Sequence, residues 1–292
     1  MTYLEAIVLG VIQGATEWLP ISSTAHLRVV PALLGWKDPG SAFTAVSQLG
    51  TVLAALVYFR RDIADIVLGF ATRFDADERP GRRLLLPIVA GTIPVIITGY
   101  LLRDYISGPF RSLWVVASSL IVFALVLAYA EKRRSARRGI STVTVMDGMA
   151  VGIGQTFSLI PGASRSGTTI TAALLMGLER SAAARFSFIL SLPAITAAGF
   201  FEFWREREAI LSDAQFGPTV VATVVAFIVG WATIYWLIGF LRTRSTFVFI
   251  WYRIALGMLI LALVAGGRVP ATDDARAPAP VAAAPVAAAP AR

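Results

Sequence analysis

Six apolar stretches, each near the roughly 20 residues needed to cross a hydrocarbon core, constrain this chain more than any other feature. They run from Phe43 to Phe59, Leu84 to Leu102, Leu113 to Ala130, Phe186 to Phe203, Thr219 to Leu241 and Phe247 to Gly266. Inside lipid, every backbone N–H and C=O needs a partner within the protein, so such stretches predict helices. The expected fold class is an all-α polytopic membrane protein. Composition agrees, since 57% of the 292 residues are hydrophobic and only 15% are charged, against roughly 25% charged in soluble domains. Gly91, Pro94 and Pro193 fall inside spans, where membrane helices tolerate them. Arg253 is the one charge well inside a span, and its place near one end predicts that it snorkels to the interface.

Charge sets the expected orientation. The net charge of +8 is concentrated in short arginine-rich loops, a pattern of positive-inside topology rather than of a nucleic-acid surface. The segments Arg60–Arg83 and Lys132–Arg138 are expected in the cytoplasm, which places Arg103–Arg111 outside. Continuing the count, Arg205–Phe216 falls outside, Arg242 and Arg244 fall inside, and the C-terminal tail falls outside. The first thirty residues lack the basic start and small-residue cleavage site of a signal peptide. The absence of cysteine excludes disulfides, thiolate nucleophiles and Cys-ligated metals. A single histidine, His26, excludes a site built from several imidazoles.

Two polar, proline-broken segments interrupt this apolar background, Gln13 to His26 and Gln155 to Thr169. They belong to a repeat. Thr2, Gly10 and Gln13 match Thr144, Gly152 and Gln155 at a constant offset of 142, and Glu5 matches Asp147. After a one-residue slip, Pro20 and Ser23 match Pro161 and Ser164, and Phe43 and Phe186 each open a span. Residues 1–140 and 141–268 therefore each read as one broken segment followed by three spans, and an odd span number makes the halves inverted. The orientation above requires that both broken segments are re-entrant. Residues 269–292 form an Ala/Pro-rich tail expected to be disordered.

The first segment reads GVIQGATEWLPISSTAHL. Gln13 and Glu17 share a helix face at i, i+4 before Pro20 breaks the helix. A carboxylate in hydrocarbon is costly and marks a functional position. A helix restarting after Pro20 would put His26 on the same face as Ser22 and Ser23. The second segment reads GIGQTFSLIPGASRSGTTI. Free N–H groups at a helix start, the hydroxyls of Ser164, Ser166, Thr168 and Thr169, and the Arg165 guanidinium suit a phosphate. The bland reading makes these hydroxyls partners of helix carbonyls, Arg165 an interfacial charge, and Glu17 a helix cap or a carboxylate that snorkels to the surface. Together the segments suit phosphoryl transfer at the membrane, with Arg165 stabilising the equatorial oxygens. Ser23 or a water can attack, with Glu17 or His26 handling the proton. Glu17 and Gln13 can instead hold a divalent cation, and oxygen ligands favour magnesium or calcium.

EWLPISSTAH and PGASRSGTT resemble the two signature motifs of bacterial undecaprenyl-diphosphatases of the bacitracin-resistance type, and the resemblance extends from the first residue to about Gly267. It implies hydrolysis of undecaprenyl diphosphate to undecaprenyl phosphate and inorganic phosphate, which recycles the lipid carrier for peptidoglycan synthesis and confers bacitracin resistance. It further implies a divalent cation and a site facing the outer side of the bacterial cytoplasmic membrane. On this resemblance the acidic motif falls on Gln13 and Glu17, the serine on Ser23 and the histidine on His26. The phosphate-binding group falls on Ser164, Arg165, Ser166 and Thr169, with Ser22 beside it. Gln13 holds an amide where many members carry a second glutamate. The expected partners are a polyprenyl diphosphate, the bilayer and a second copy of the chain in a homodimer, with no nucleic acid. The competing class is a lipid-phosphate flippase or anion transporter, for which inverted repeats are also suited; the Glu17–Ser23–His26 grouping argues for chemistry.

Overall fold

The computed structural model describes residues 1–37, 40–71, 83–102, 105, 112–210 and 213–272. Among them the chain is helical without a strand, apart from one isolated bridge between Arg138 and Leu178. The helices in chain order are α1 (Tyr3–Trp18), α2 (Ser23–Leu34), α3 (Gly40–Tyr58), α4 (Arg60–Ala71), α5 (Leu85–Leu101) and α6 (Leu113–Arg133). They continue as α7 (Val145–Thr156), α8 (Arg165–Leu175), α9 (Arg180–Ile210), α10 (Asp213–Thr243) and α11 (Phe247–Ala265).

Four of these are long and apolar enough to cross a membrane: α6, the Arg180–Arg205 part of α9, the Phe216–Thr243 part of α10, and α11. Phe43–Tyr58 and Leu85–Leu101 are shorter apolar helices. The 16 residues of α1 and the 12 of α7 span only about 24 and 18 Å at 1.5 Å per residue, short of a bilayer core. The expected external loop 103–111 lies, apart from Tyr105, outside the described residues, as does most of the expected disordered tail. The tail's first residues are ordered: Val269 is buried beside Leu113 and Val116, and the Leu113 N–H donates to the Ala271 carbonyl at 2.8 Å.

The repeated residues start equivalent helices in the same way. Thr2 and Glu5 form a capping box at α1, and Thr144 and Asp147 form one at α7. Each box satisfies two N–H groups that the first helical turn would otherwise leave open. Asp147 also accepts from both terminal nitrogens of Arg138, at 2.8 and 2.6 Å. The two short helices then pack crosswise. α1 lies on α10, and α7 lies on α5. Gly10 faces the Ala222 carbonyl of α10, where a Cβ would stand 2.6 Å from the oxygen. Its repeat partner Gly152 lies as close against the Gly91 backbone of α5. Close backbone approach is how helices associate where lipid removes the hydrophobic drive.

The register of the repeat at the breaks differs from the expected one. The N-caps of α2 and α8 are Ser22 and Ser164, with φ of +73° and +69°. The constant offset of 142 therefore resumes at the caps and pairs Ser22, not Ser23, with Ser164. Aligning the prolines introduces the slip because Pro20 lies two residues before its cap and Pro161 three before its own.

The core runs between the breaks and the long helices. Trp18, at the end of α1, meets Phe188 of α9 edge-on with ring centroids 4.9 Å apart. Ile170 and Leu174 of α8 are fully buried in the same cluster. At one end of the bundle Glu131 accepts from Arg180 at 2.5 Å and from the Thr246 hydroxyl at 2.9 Å, which ties α6 to the starts of α9 and α11.

Candidate active site

Both breaks expose chain ends to one another. Ser22 and Ser164 sit in a left-handed conformation uncommon outside glycine, and each turns its hydroxyl onto the helix it starts. Ser22 accepts from the Ala25 N–H at 3.4 Å, and Ser164 accepts from the Gly167 N–H at 3.2 Å. The residue after each cap then turns its side chain onto Glu17, from within the first segment in one case and across from the second in the other. These residues are Ser23 and Arg165.

Glu17, the last polar residue of α1, is the meeting point. One of its carboxylate oxygens, Oε2, accepts from the Ser23 hydroxyl at 2.7 Å and from Gln13 Nε2 at 3.0 Å. The other, Oε1, accepts from Nη2 of Arg165. Glu17 is 7% exposed and the Arg165 side chain 20% exposed, so the carboxylate is compensated by a partner and two further donors. A cavity of about 210 Å³ opens beside this cluster. Glu17, Ser22, Ser23 and Thr24 line it from the first segment, Gly162, Ser164 and Arg165 from the second, and Gln48 from α3.

Other expected residues lie elsewhere. His26 does not line this cavity. Its Nδ1 lies 2.7 Å from the Ser22 carbonyl and its Nε2 lies 2.7 Å from the Tyr252 hydroxyl, with the two rings stacked. A carbonyl only accepts, so Nδ1 carries the proton, and a neutral ring accepts from Tyr252 at Nε2. The helical spacing that puts His26 near Ser22 thus delivers it to the backbone of that residue, not to the Ser23 hydroxyl. Ser166 donates to the Leu19 carbonyl at 2.9 Å, and Thr169 donates to the Arg165 carbonyl at 2.7 Å. These hydroxyls brace the two breaks and the first turn of α8, and neither lines the cavity.

Arg253 departs most from expectation. It is fully buried rather than snorkelled. Its guanidinium donates to the carbonyls of Leu120 at 3.2 Å, Pro20 at 3.4 Å, Gly162 at 3.2 Å and Ala163 at 2.8 Å. Breaking two helices leaves carbonyls without N–H partners, and a planar fork of donors satisfies several at once. The Ser119 hydroxyl does the same for the Pro161 carbonyl at 2.5 Å. A position near one end of a span cannot distinguish a lipid-facing arginine from this one, and Gln48 and Tyr252 likewise carry no signal within apolar helices.

Magnesium typically uses one or two carboxylates together with substrate phosphate oxygens. Among the described residues no three acidic or histidine side chains cluster. Glu17 supplies one carboxylate, bonded here to Arg165, Ser23 and Gln13 Nε2, and Gln13 supplies a buried Oε1 without a hydrogen-bond partner; these are the residues that would hold such an ion.

A helical fold that encloses a carboxylate, a serine and a guanidinium between two broken helices defines a polytopic membrane protein with a polar site inside its bundle. The chain belongs to the family of the bacitracin resistance protein BacA, whose model matches residues 6–259. It is 50% identical to an undecaprenyl-diphosphatase of Myxococcus xanthus over 276 residues, covering 92% of this chain and 91% of the relative. Undecaprenyl-diphosphatase 3 of Frankia alni is 48% identical, covering 95% of this chain and the whole relative. An undecaprenyl-diphosphatase of Prosthecochloris aestuarii is 47% identical, covering 93% of this chain and the whole relative.

Proposed function

We propose that this protein is a membrane phosphatase that hydrolyses undecaprenyl diphosphate to undecaprenyl phosphate and inorganic phosphate, in the way its relatives' names describe. The observation that carries the reading is the Ser23 hydroxyl donating to Glu17 at 2.7 Å in a cavity shared with Arg165. An anion carrier needs the guanidinium but has no use for a hydroxyl held on a carboxylate, which is the pairing of an activated nucleophile with its base.

In this reading the terminal phosphate enters the cavity and draws Arg165 onto its oxygens. Ser23 Oγ attacks phosphorus as its proton passes to Glu17, and the bond to the bridging oxygen breaks with undecaprenyl phosphate as leaving group. The departing undecaprenyl phosphate takes that proton from Glu17, which, again a carboxylate, accepts a proton from the water that attacks the phosphoserine and passes it to Ser23 Oγ as the serine–phosphorus bond breaks and inorganic phosphate departs. Arg165 stabilises charge on the equatorial oxygens in both steps. His26 acts as a positioning residue, holding the Ser22 backbone through Nδ1. Magnesium or calcium on Glu17 and Gln13 would neutralise diphosphate charge when bound.

The same reading places the chain in the bacterial cytoplasmic membrane with six transmembrane helices and two re-entrant broken segments. Residues 1–140 and 141–268 are the inverted halves, with the site facing the outer side. The crosswise packing of α1 on α10 and α7 on α5 supports the repeat. Both site segments come from one chain, so the chemistry does not require a homodimer.

Phosphate release from undecaprenyl diphosphate by purified protein in detergent, with magnesium or calcium and with chelator, tests the proposal. Absence of release by folded protein with either cation overturns it. Translocation of the lipid in liposomes without hydrolysis supports the transporter instead.

A further inference from the structure

A second cavity, of about 740 Å³, lies between α5 and α9 and meets the catalytic one. Ser158, Leu159 and Arg165 line both. Its walls are mostly apolar, with Val95 and Ile96 of α5 on one side and Ala194, Ala198 and Phe201 of α9 on the other, while Tyr100, Glu202 and Arg205 also line it. One strongly polar side chain from deep in the bundle joins this wall. Gln155 lines the cavity, is 0% exposed, and has no hydrogen-bond partner at Nε2 or Oε1.

An amide left without partners in such a place is unusual, since buried polar groups are nearly always bonded. Its repeat partner Gln13 at least donates Nε2 to Glu17. Gln155 is hydrogen-bonded to no carboxylate, and the position equivalent to Glu17 under the offset of 142 is Leu159. The donor is therefore available to an anion that enters from outside the chain.

We infer that the two cavities divide the substrate at Arg165, with Gln155 donating to the lipid-side phosphate and the α5–α9 groove holding the first isoprene units. The inference rests on the diphosphatase reading above. A polyprenyl diphosphate has three parts in series: a terminal phosphate, a second phosphate and an apolar chain. The molecule offers three environments in the same order. The small polar cavity takes the terminal phosphate, the Arg165–Gln155 junction takes the second phosphate, and the apolar groove takes the chain. After hydrolysis the prenyl monophosphate product keeps only the last two environments, whereas inorganic phosphate keeps only the first.

The test exploits that separation. Binding of farnesyl monophosphate and of inorganic phosphate to purified protein is measured by titration calorimetry for wild type, Gln155→Leu and Ala198→Leu. Gln155→Leu is expected to weaken farnesyl monophosphate about tenfold, the effect of removing one hydrogen bond to a charged group. Its inorganic phosphate binding is expected to stay within twofold. Ala198→Leu, which narrows the groove without touching the amide, is expected to show the same selectivity. If Gln155→Leu does not fold, Gln155→Met replaces it. Unchanged farnesyl monophosphate binding, or an equal loss for both ligands, overturns the inference. Phosphate release by the wild type reports separately on the diphosphatase reading, so the two can fail independently.

Discussion

Glu17 and Arg165, 148 residues apart, form an ion pair that joins the end of α1 to the start of α8. The Glu17 side chain is buried and the Arg165 side chain mostly buried, so removing one partner costs more than removing both. Glu17→Gln and Arg165→Met each leave a buried charge without its partner, at a cost of about 3–5 kcal/mol. The double variant removes both charges. Thermal unfolding in detergent is expected to show each single variant less stable than the double, while all three lack phosphate release. A double variant as unstable as the two losses combined would show that the pair does not interact.

Ser23 and Ser22 are adjacent hydroxyls with different work. Ser23→Ala removes the group bonded to Glu17 and touches no backbone cap, so release is expected to fall about 10³-fold or more with unchanged unfolding temperature. Ser22→Ala keeps the φ of +73° but loses the cap on Ala25, which costs about 1 kcal/mol of stability. Its rate is expected to fall far less. Acid-quenched phosphoserine in wild type, absent in Ser23→Ala, checks the nucleophile. A Ser23→Ala enzyme within tenfold of wild type assigns the attack to water.

The sequence made the two polar segments legible because an unneeded carboxylate or arginine in hydrocarbon is expensive, and here each sits beside a proline and a run of hydroxyl residues. The repeat of Thr2 and Glu5 at Thr144 and Asp147 was legible as matched spacing, and the structure shows that it encodes two capping boxes. Partners that come from distant apolar helices were not legible. Gln48, Tyr252 and Arg253 acquire roles only when α3 and α11 pack against the breaks, and spacing along one helix carries no record of that. The register at Ser22 and Ser164 was obscured because proline is a conspicuous marker, whereas the equivalent positions are set by backbone conformation at the caps.

His26 provides a test of positioning against proton transfer. Its Nδ1–H holds the Ser22 carbonyl at 2.7 Å, and a side-chain amide can offer the same kind of donor. His26→Gln is expected to retain at least a tenth of the wild-type rate, and His26→Ala to fall about tenfold further. Tyr252→Phe removes the other ring partner and is expected to cost under fivefold. A proton-transfer role would instead make Gln as inactive as Ala, with loss of one limb of the pH–rate profile in both.

Arg253 holds the Pro20 break against the Gly162–Ala163 break through carbonyl oxygens alone. Lysine keeps the charge but concentrates it at one nitrogen and cannot reach four carbonyls in a plane. Arg253→Lys is expected to lose about 2–4 kcal/mol of stability, from carbonyls left unpaired in a buried site. Because both segments relax together, kcat is expected to fall with little change in KM. Denaturant unfolding and steady-state kinetics on the same preparation check both parts, and a stable variant with a raised KM would place Arg253 on the substrate instead.

Gln13 allows the metal proposal to be tested by adding a ligand. Its Oε1 is buried and unbonded, one helical turn before Glu17. Gln13→Glu places a second carboxylate there. Without a cation, two like charges share a site of low polarity and oppose folding. With a cation, they bind it more tightly than an amide and a carboxylate do. The variant is therefore expected to unfold at lower temperature than wild type in chelator and to recover at millimolar magnesium. Its half-saturating magnesium concentration for phosphate release is expected to fall about tenfold. An unchanged magnesium dependence, with the stability loss persisting at saturating cation, would remove Gln13 and Glu17 as the metal ligands.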